Sequence, residues 1–276
     1  MKFNEARFEA ISFTKSGNNW GYVTPSNAPI KKKEVVTDLG IDVDSRLDFK
    51  PHIKKTAARG NCMANWVLRS FRTRATPALL VTLKSLIISV VEYGSVIWSP
   101  TDQHHINLLE SVQRRFTSRF SCFQTENIAL GFSICTTNYP DRLKQLHLFS
   151  LERRRERFMI IYIFKIINKM VPNPGLRFQY EPRRKWWVHP KYATHPTESW
   201  KMKARNTSFF VTAPRLYNSL PPQLRELEDA NLVTKVHVEA FKRRLPMYLS
   251  KFPDEPGDTQ NSLLSDRHRF ETRVAS

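Results

Sequence analysis

The sequence predicts a mainly α fold with a small antiparallel β portion at its N-terminus and a small α/β module at its C-terminal end. Three observations lead there. Strand-like alternation is concentrated in the first fifty residues, among turn signals such as Lys15-Ser-Gly-Asn-Asn19. From Pro51 onward apolar residues recur at spacings of three and four, the period of a helix face. A nearly uninterrupted apolar stretch, Leu79 to Trp98, is bracketed by Pro77 and Pro100. With 276 residues, 41% of them apolar, the chain has material for a buried core in one large domain or two smaller ones.

Taken in order, Phe8–Thr14, Trp20–Val23 and Glu34–Ile41 read as short antiparallel strands. Ile53, Ala57, Gly60, Ala64, Val67 and Phe71 then mark one helical face. Lys54, Lys55, Arg59, Arg69, Arg72 and Arg74 fall elsewhere on that helix or just beyond it, and no acidic residue occurs between Lys50 and Thr76. The Leu79–Trp98 helix is apolar nearly all round, which predicts a central position. A third helix follows Thr101 or Asp102 as N-cap; its stripe is Ile106, Leu109, Val112 or Gln113, Phe116 and Phe120, with Arg114, Arg115 and Arg119 outward. A loop over 122–138 leads to a long helical region from Pro140 to about Met170. Residues 173–204 read as a basic, poorly structured connector. Ser208–Thr212 has the look of a strand, and a last amphipathic helix spans about Val233 to Leu249. The expected units are therefore 1–50, 51–172, 173–204, 205–252 and a flexible tail, 253–276.

The formal charge of +19 is the dominant compositional fact. Self-repulsion of that size disfavours a compact fold, so a polyanionic partner is its natural explanation. Nucleic acid comes first, because the cations lie between aromatics and within helices; an anionic membrane surface comes second. Leu79–Trp98 carries Lys84, Glu92 and three serines, too many polar groups for a lipid-facing span. Three widely spaced cysteines support neither a disulfide framework nor a cysteine zinc site, and reduced thiols in cytoplasm or nucleus fit better. The N-terminus has no apolar secretory core, so the protein is not expected to be secreted.

Several strings carry a family likeness. Asp38-Leu-Gly-Ile-Asp-Val-Asp-Ser-Arg-Leu-Asp-Phe49, Val91-Glu-Tyr-Gly-Ser-Val-Ile-Trp-Ser-Pro100, Ile106-Asn-Leu-Leu-Glu-Ser-Val-Gln-Arg-Arg-Phe-Thr117, Leu151-Glu-Arg-Arg-Arg-Glu-Arg157 and Ala213-Pro-Arg-Leu-Tyr-Asn-Ser-Leu-Pro221 occur in this order. Together they resemble the downstream part of the reverse transcriptase of LINE-type, non-LTR retrotransposons, with jockey-like elements the most similar group. The resemblance implies that 1–50 is the end of a palm, with a primer-grip-like turn at Asp38, Leu39 and Gly40. It implies a helical thumb over 51–172, straddling a template–primer duplex. The family's catalytic Asp-Asp turn, which would hold Mg²⁺ for two-metal phosphoryl transfer, has no match, since these residues contain no Asp-Asp. The implied protein has no cofactor and no small-molecule substrate, and binds RNA, RNA–DNA hybrid or DNA as a non-catalytic polymerase fragment. A 5′-truncated product without selected activity and a domesticated interaction module are the alternatives.

A thumb holds the backbone, so it needs cations rather than base readers. Arg69, Arg72, Arg74, Arg114, Arg115 and Arg119 are the first candidates; Arg153 and Arg154 come second, because Glu152 and Glu156 are placed to engage them. Trp186 and Trp187, among Arg183, Arg184 and Lys185, are candidates for base stacking. Asp42 and Asp44 share a strand face but read as solvated carboxylates, and His104, His105, His189 and His195 as surface histidines.

Overall fold

The computed structural model describes residues 4–13, 21–127, 132–172, 175, 178–180, 188–190, 199–225 and 235–256. Helices dominate these residues, with a small antiparallel strand pair near the N-terminus, in agreement with the mainly α expectation. The first pairing departs from it: β1 (Glu9–Ala10) runs parallel to β2 (Lys31–Lys32). β3 (Val35–Asp38) and β4 (Ile41–Asp44) form the antiparallel hairpin, with Asp38 opposite Ile41. Leu39 and Gly40 make its two-residue turn, both at positive φ (45° and 82°), the combination whose twist suits a tight hairpin. Glycine adopts it without steric cost; Leu39 is held in it partly by the Tyr93 hydroxyl, which donates to its carbonyl at 3.0 Å.

α1 (Lys50–Ser70) has Pro51 in its first turn and buries Ile53, Ala57, Gly60, Ala64 and Val67, the predicted stripe. Phe71, the stripe's last member, lies outside the helix and is exposed. The Leu79–Trp98 helix is not a single central rod. α2 (Thr76–Thr82), a π-helical turn (Leu83–Ile87) and α3 (Ile88–Glu92) run on continuously; Gly94 at φ 64° breaks the line before α4 (Ser95–Trp98). Leu79, Leu83, Ile87, Ile88 and Val91 are buried, whereas Lys84, Ser85 and Ser89 are exposed, so those polar residues mark a solvent face. α5 (Gln103–Thr117) starts at the predicted N-cap: Asp102 accepts from the His105 backbone N–H at 3.0 Å.

Beyond α5 the structure corrects four expectations. The stretch read as a loop contains an antiparallel pair, β5 (Gln124–Asn127) and β6 (Phe132–Cys135). The long helical region is two helices, α6 (Tyr139–Gln145) and α7 (Leu151–Ile167). Between them His147 takes φ 51°, and the Leu148 and His147 N–H groups return to the Leu143 and Lys144 carbonyls, a Schellman stop without glycine. The connector includes an antiparallel pair, β7 (Phe178–Tyr180) and β8 (Val188–Pro190), and most of α8 (Ser199–Thr207). The expected strand at Ser208–Thr212 is instead the first turn of α9 (Phe209–Asn218), which buries Val211, Ala213, Leu216 and Tyr217. α10 (Pro222–Arg225) and α11 (Lys235–Leu249) complete the order.

Two hydrophobic clusters hold these elements. One joins α1, α2–α3 and α5 through residues such as Val67, Leu83, Leu109 and Phe116. The other joins α7, α9 and α11 through Ile160, Phe164, Leu216 and Phe241, with the Phe164 and Phe241 rings stacked 4.0 Å apart. α7 serves both, giving Leu151 to the first and Met159 to Phe164 to the second. Of the expected tail, Asp254 is docked: its carboxylate accepts from the Ser150 N–H (2.7 Å) and hydroxyl (2.6 Å) at the start of α7. Residues 257–276 lie outside the described set.

Candidate nucleic-acid interface

α1 and α5 pack along much of their length, and Gly60 makes the close approach possible, next to Val91 and Val112. Their C-terminal ends lie together. The Ser121 N–H donates to the Arg74 carbonyl at 3.0 Å, and the Thr76 hydroxyl to the Cys122 thiol at 3.1 Å. This end therefore collects Arg69 and Arg72 from the α1 side and Arg119 from the α5 side, with Arg114 and Arg115 one turn back along α5. Arg69, Arg72, Arg115 and Arg119 are exposed, and among the described residues none has a carboxylate partner. Arg114 is exposed too, with its guanidinium 5.1 Å from the centre of the Tyr139 ring.

Arg74 is placed differently. Its guanidinium folds back onto the carbonyls of Leu68 (2.7 Å), Phe71 (2.5 Å) and Thr73 (3.3 Å), closing the end of α1 where the helix dipole favours a cation. Arg153 and Arg154 are also occupied within the fold. Arg153 is 3% exposed and donates to the Pro253 carbonyl at 3.0 Å, near Glu156 and Asp254. Arg154 forms a two-pronged pair with Glu92 of α3, the second contact at 2.8 Å. The run Glu152–Arg157 thus faces inward, and its Glu92 partner comes from another helix rather than from the neighbouring turn. Arg155 is buried, and burial lowers its pKa against the pull of Glu110 and other carboxylates. Burial likewise raises the Glu110 carboxyl, which accepts from the Tyr139 hydroxyl and the Glu152 N–H, each at 2.7 Å.

The remaining candidates separate further. Asp38, Leu39 and Gly40 are the hairpin tip, with Leu39 82% exposed. Asp42 is buried rather than solvated. Burial pushes its pKa up, but hydrogen bonds from Lys55 (2.8 and 2.9 Å) and Thr37 (2.6 Å) outweigh that and hold it below the usual carboxylate value. Asp44 is half-buried, and burial raises it. His105 is buried against Asp102, with Nδ1 2.6 Å from the carboxylate, so it too departs from the surface expectation. Trp186, Trp187 and His195 lie outside the described residues. One aromatic was missed: Trp66, 55% exposed on α1, with Arg59 and Arg69 near it along the same helix. Its signal was absence from the Ile53–Val67 stripe. Among the described residues no group of three His, Cys, Asp or Glu could hold a metal ion, and no helix is long and apolar enough to cross a membrane.

No family model matches the chain, and no solved structure matches it. Two curated proteins do. An uncharacterised protein of Caenorhabditis elegans is 27% identical over 120 residues, 44% of this chain and 57% of that protein. A Drosophila melanogaster protein named as a probable RNA-directed DNA polymerase from transposon BS is 25% identical over 150 residues, 45% of this chain but 16% of its own length. The chain spans only part of either relative, and what the second match supports is a partial relation to a retrotransposon reverse transcriptase.

Proposed function

We propose that these residues form the downstream, non-catalytic part of a jockey-like LINE reverse transcriptase and hold an RNA–DNA hybrid, or RNA, by its backbone. In this reading 1–50 ends the palm, the Asp38–Gly40 turn stands beside the primer, and 51–172 is the thumb. One observation carries it: four exposed arginines lie towards one end of the α1–α5 pair, Arg69 and Arg115 on the helices and Arg72 and Arg119 just beyond them, with no carboxylate partner among the described residues. Confining like charges in this way is unfavourable unless a polyanion relieves it. The order of the family-like strings and the partial match to a transposon polymerase support the same reading.

Backbone holding implies weak sequence dependence and steep salt dependence, each neutralised phosphate adding about 0.9 to the slope of log K against log salt on B-DNA. Changing Arg69, Arg72, Arg115 and Arg119 together to Gln is expected to flatten that slope by about 3.6 units, measured by fluorescence anisotropy with a labelled hybrid. The same change at Lys201 and Lys203 of α8 is expected to leave it nearly unaltered. Equal loss per charge from both sets would mean diffuse attraction without a groove, and would favour a product with no selected binding activity.

A further inference from the structure

A second concave site lies at the opposite end of α1. A cavity of about 630 Å³ opens between the loop before α1, the α4–α5 connection, and the α8–α9 corner. That volume lies within the range of small-molecule sites. Its wall is mainly apolar and aromatic: Ile53 and Trp98 are buried beneath it, and Phe49, Tyr162, Phe209 and Phe210 line it half-buried. The lip is fixed rather than loose. The Asp48 N–H donates to the Asp44 carboxylate at 2.8 Å and the Lys50 N–H to Asp48 at 3.1 Å, while Leu47 and Phe49 sit at φ 56° and 53°. Side chains other than glycine at such φ carry strain, and strain of this kind gathers at binding sites.

The charges at the lip define what it would accept. Its two acids are engaged, Asp48 with Lys50 at 2.7 Å and Asp102 with His105 at 2.6 Å. Its two other cations, Arg46 and Lys203, are exposed and have no carboxylate partner among the described residues. What the cleft leaves unmatched is therefore two positive groups above an apolar, ring-lined space. We infer that this cleft is a binding site for a small amphiphilic anion, with its flat apolar body on Trp98, Phe209 and Phe210 and its acid group between Arg46 and Lys203. The 21 residues of α1, about 30 Å of helix, separate it from the arginine-rich end, so it is a site distinct from the nucleic-acid face.

The test uses two dyes that differ by the charged group alone. Anilinonaphthalene sulfonate supplies rings and an anion; N-phenyl-naphthylamine supplies the same rings without it. Fluorescence titration of the whole chain is expected to show saturable binding of the sulfonate, tighter than that of the neutral dye. Arg46→Gln with Lys203→Gln should weaken the sulfonate about tenfold and leave the neutral dye unchanged. Ala204→Trp, which fills the cleft from α8, should weaken both. Circular dichroism melts check that each variant folds; the two exposed cations can be removed without touching a core. An RNA–DNA hybrid should not displace the dye. Absence of saturable sulfonate binding, indifference to both variants, equal weakening of both dyes by the charge change, or displacement by the hybrid would each overturn the assignment. Only the last of these bears on the arginine face, so the two readings fail separately.

Discussion

Gly60 stands where three helices meet, and a Cβ there would come within 2.6 Å of Val91 and 3.1 Å of Val112. Alanine ordinarily strengthens a helix by up to about 1 kcal/mol over glycine. Here it would push apart packed, β-branched neighbours, and over-packing of this kind costs about 1–3 kcal/mol. Gly60→Ala is therefore expected to lower the thermal midpoint, whereas Ala58→Gly on the exposed side of α1 should lower it through propensity alone. Glu156 offers a second test at this scale. Burial raises its pKa from 4.5 to about 7, with Arg153 pulling the other way and Glu152 and Asp254 adding to the rise. A carboxyl raised on folding binds its proton more tightly in the native state, so its stabilising contribution is whole below about pH 4.5 and is lost as pH rises through about 7. The change is on the order of 3 kcal/mol across that window. Urea titrations of Glu156→Gln should show a flatter dependence of stability on pH between 5 and 8 than the parent chain.

Among elements, the Glu152–Arg157 turn of α7 shows how far a basic run can mislead. Read as sequence it is a second cationic patch; folded, Arg154 pairs with Glu92, whose side chain is only 8% exposed. Removing one partner of such a pair strands the other, and Arg154→Met is expected to cost about 2 kcal/mol, discounted for the quarter of Arg154 that solvent reaches. It should leave the salt slope of hybrid binding as it was, the reverse of the Arg69–Arg119 set. The helices and their inward faces were legible because period and capping are local: Ile53 to Val67 and the Asp102 N-cap needed no knowledge of neighbours. The break at His147 was not, because it uses a left-handed residue without glycine. Ser208–Thr212 failed for another reason: five residues of mixed apolar character fit a strand or a helix equally until flanking length decides. The exposure of Arg69, Arg72, Arg115 and Arg119 was readable from polarity alone. The inward turn of Arg74 and Arg153 depends on partners that no spacing rule supplies.

At the scale of the molecule, some cations are turned into the fold while many stay at its surface. Arg154 of α7 is paired with Glu92 and Arg74 caps the end of α1, whereas Arg69, Arg72, Arg115 and Arg119 at the shared end of α1 and α5 face solvent with no carboxylate partner among the described residues. The apolar cleft lies at the far end of α1, so one long helix separates two surfaces of different chemistry. That leaves α7, the 17-residue helix that gives its first residue to one hydrophobic cluster and its middle to the other. A helix forms cooperatively, and its end cannot stay wound in one cluster while its centre unravels in the other without losing the hydrogen bonds between. The Asp254 cap at Ser150 adds a tie, since it fastens the segment after α11 to the first turn of α7. α7 therefore acts as a common axle: melting of either cluster takes its turns away from the other. Calorimetry of the whole chain should give a single transition whose van't Hoff and calorimetric enthalpies agree, despite two separate hydrophobic centres. Arg157→Pro, breaking the axle between Leu151 and Met159, should split it into two.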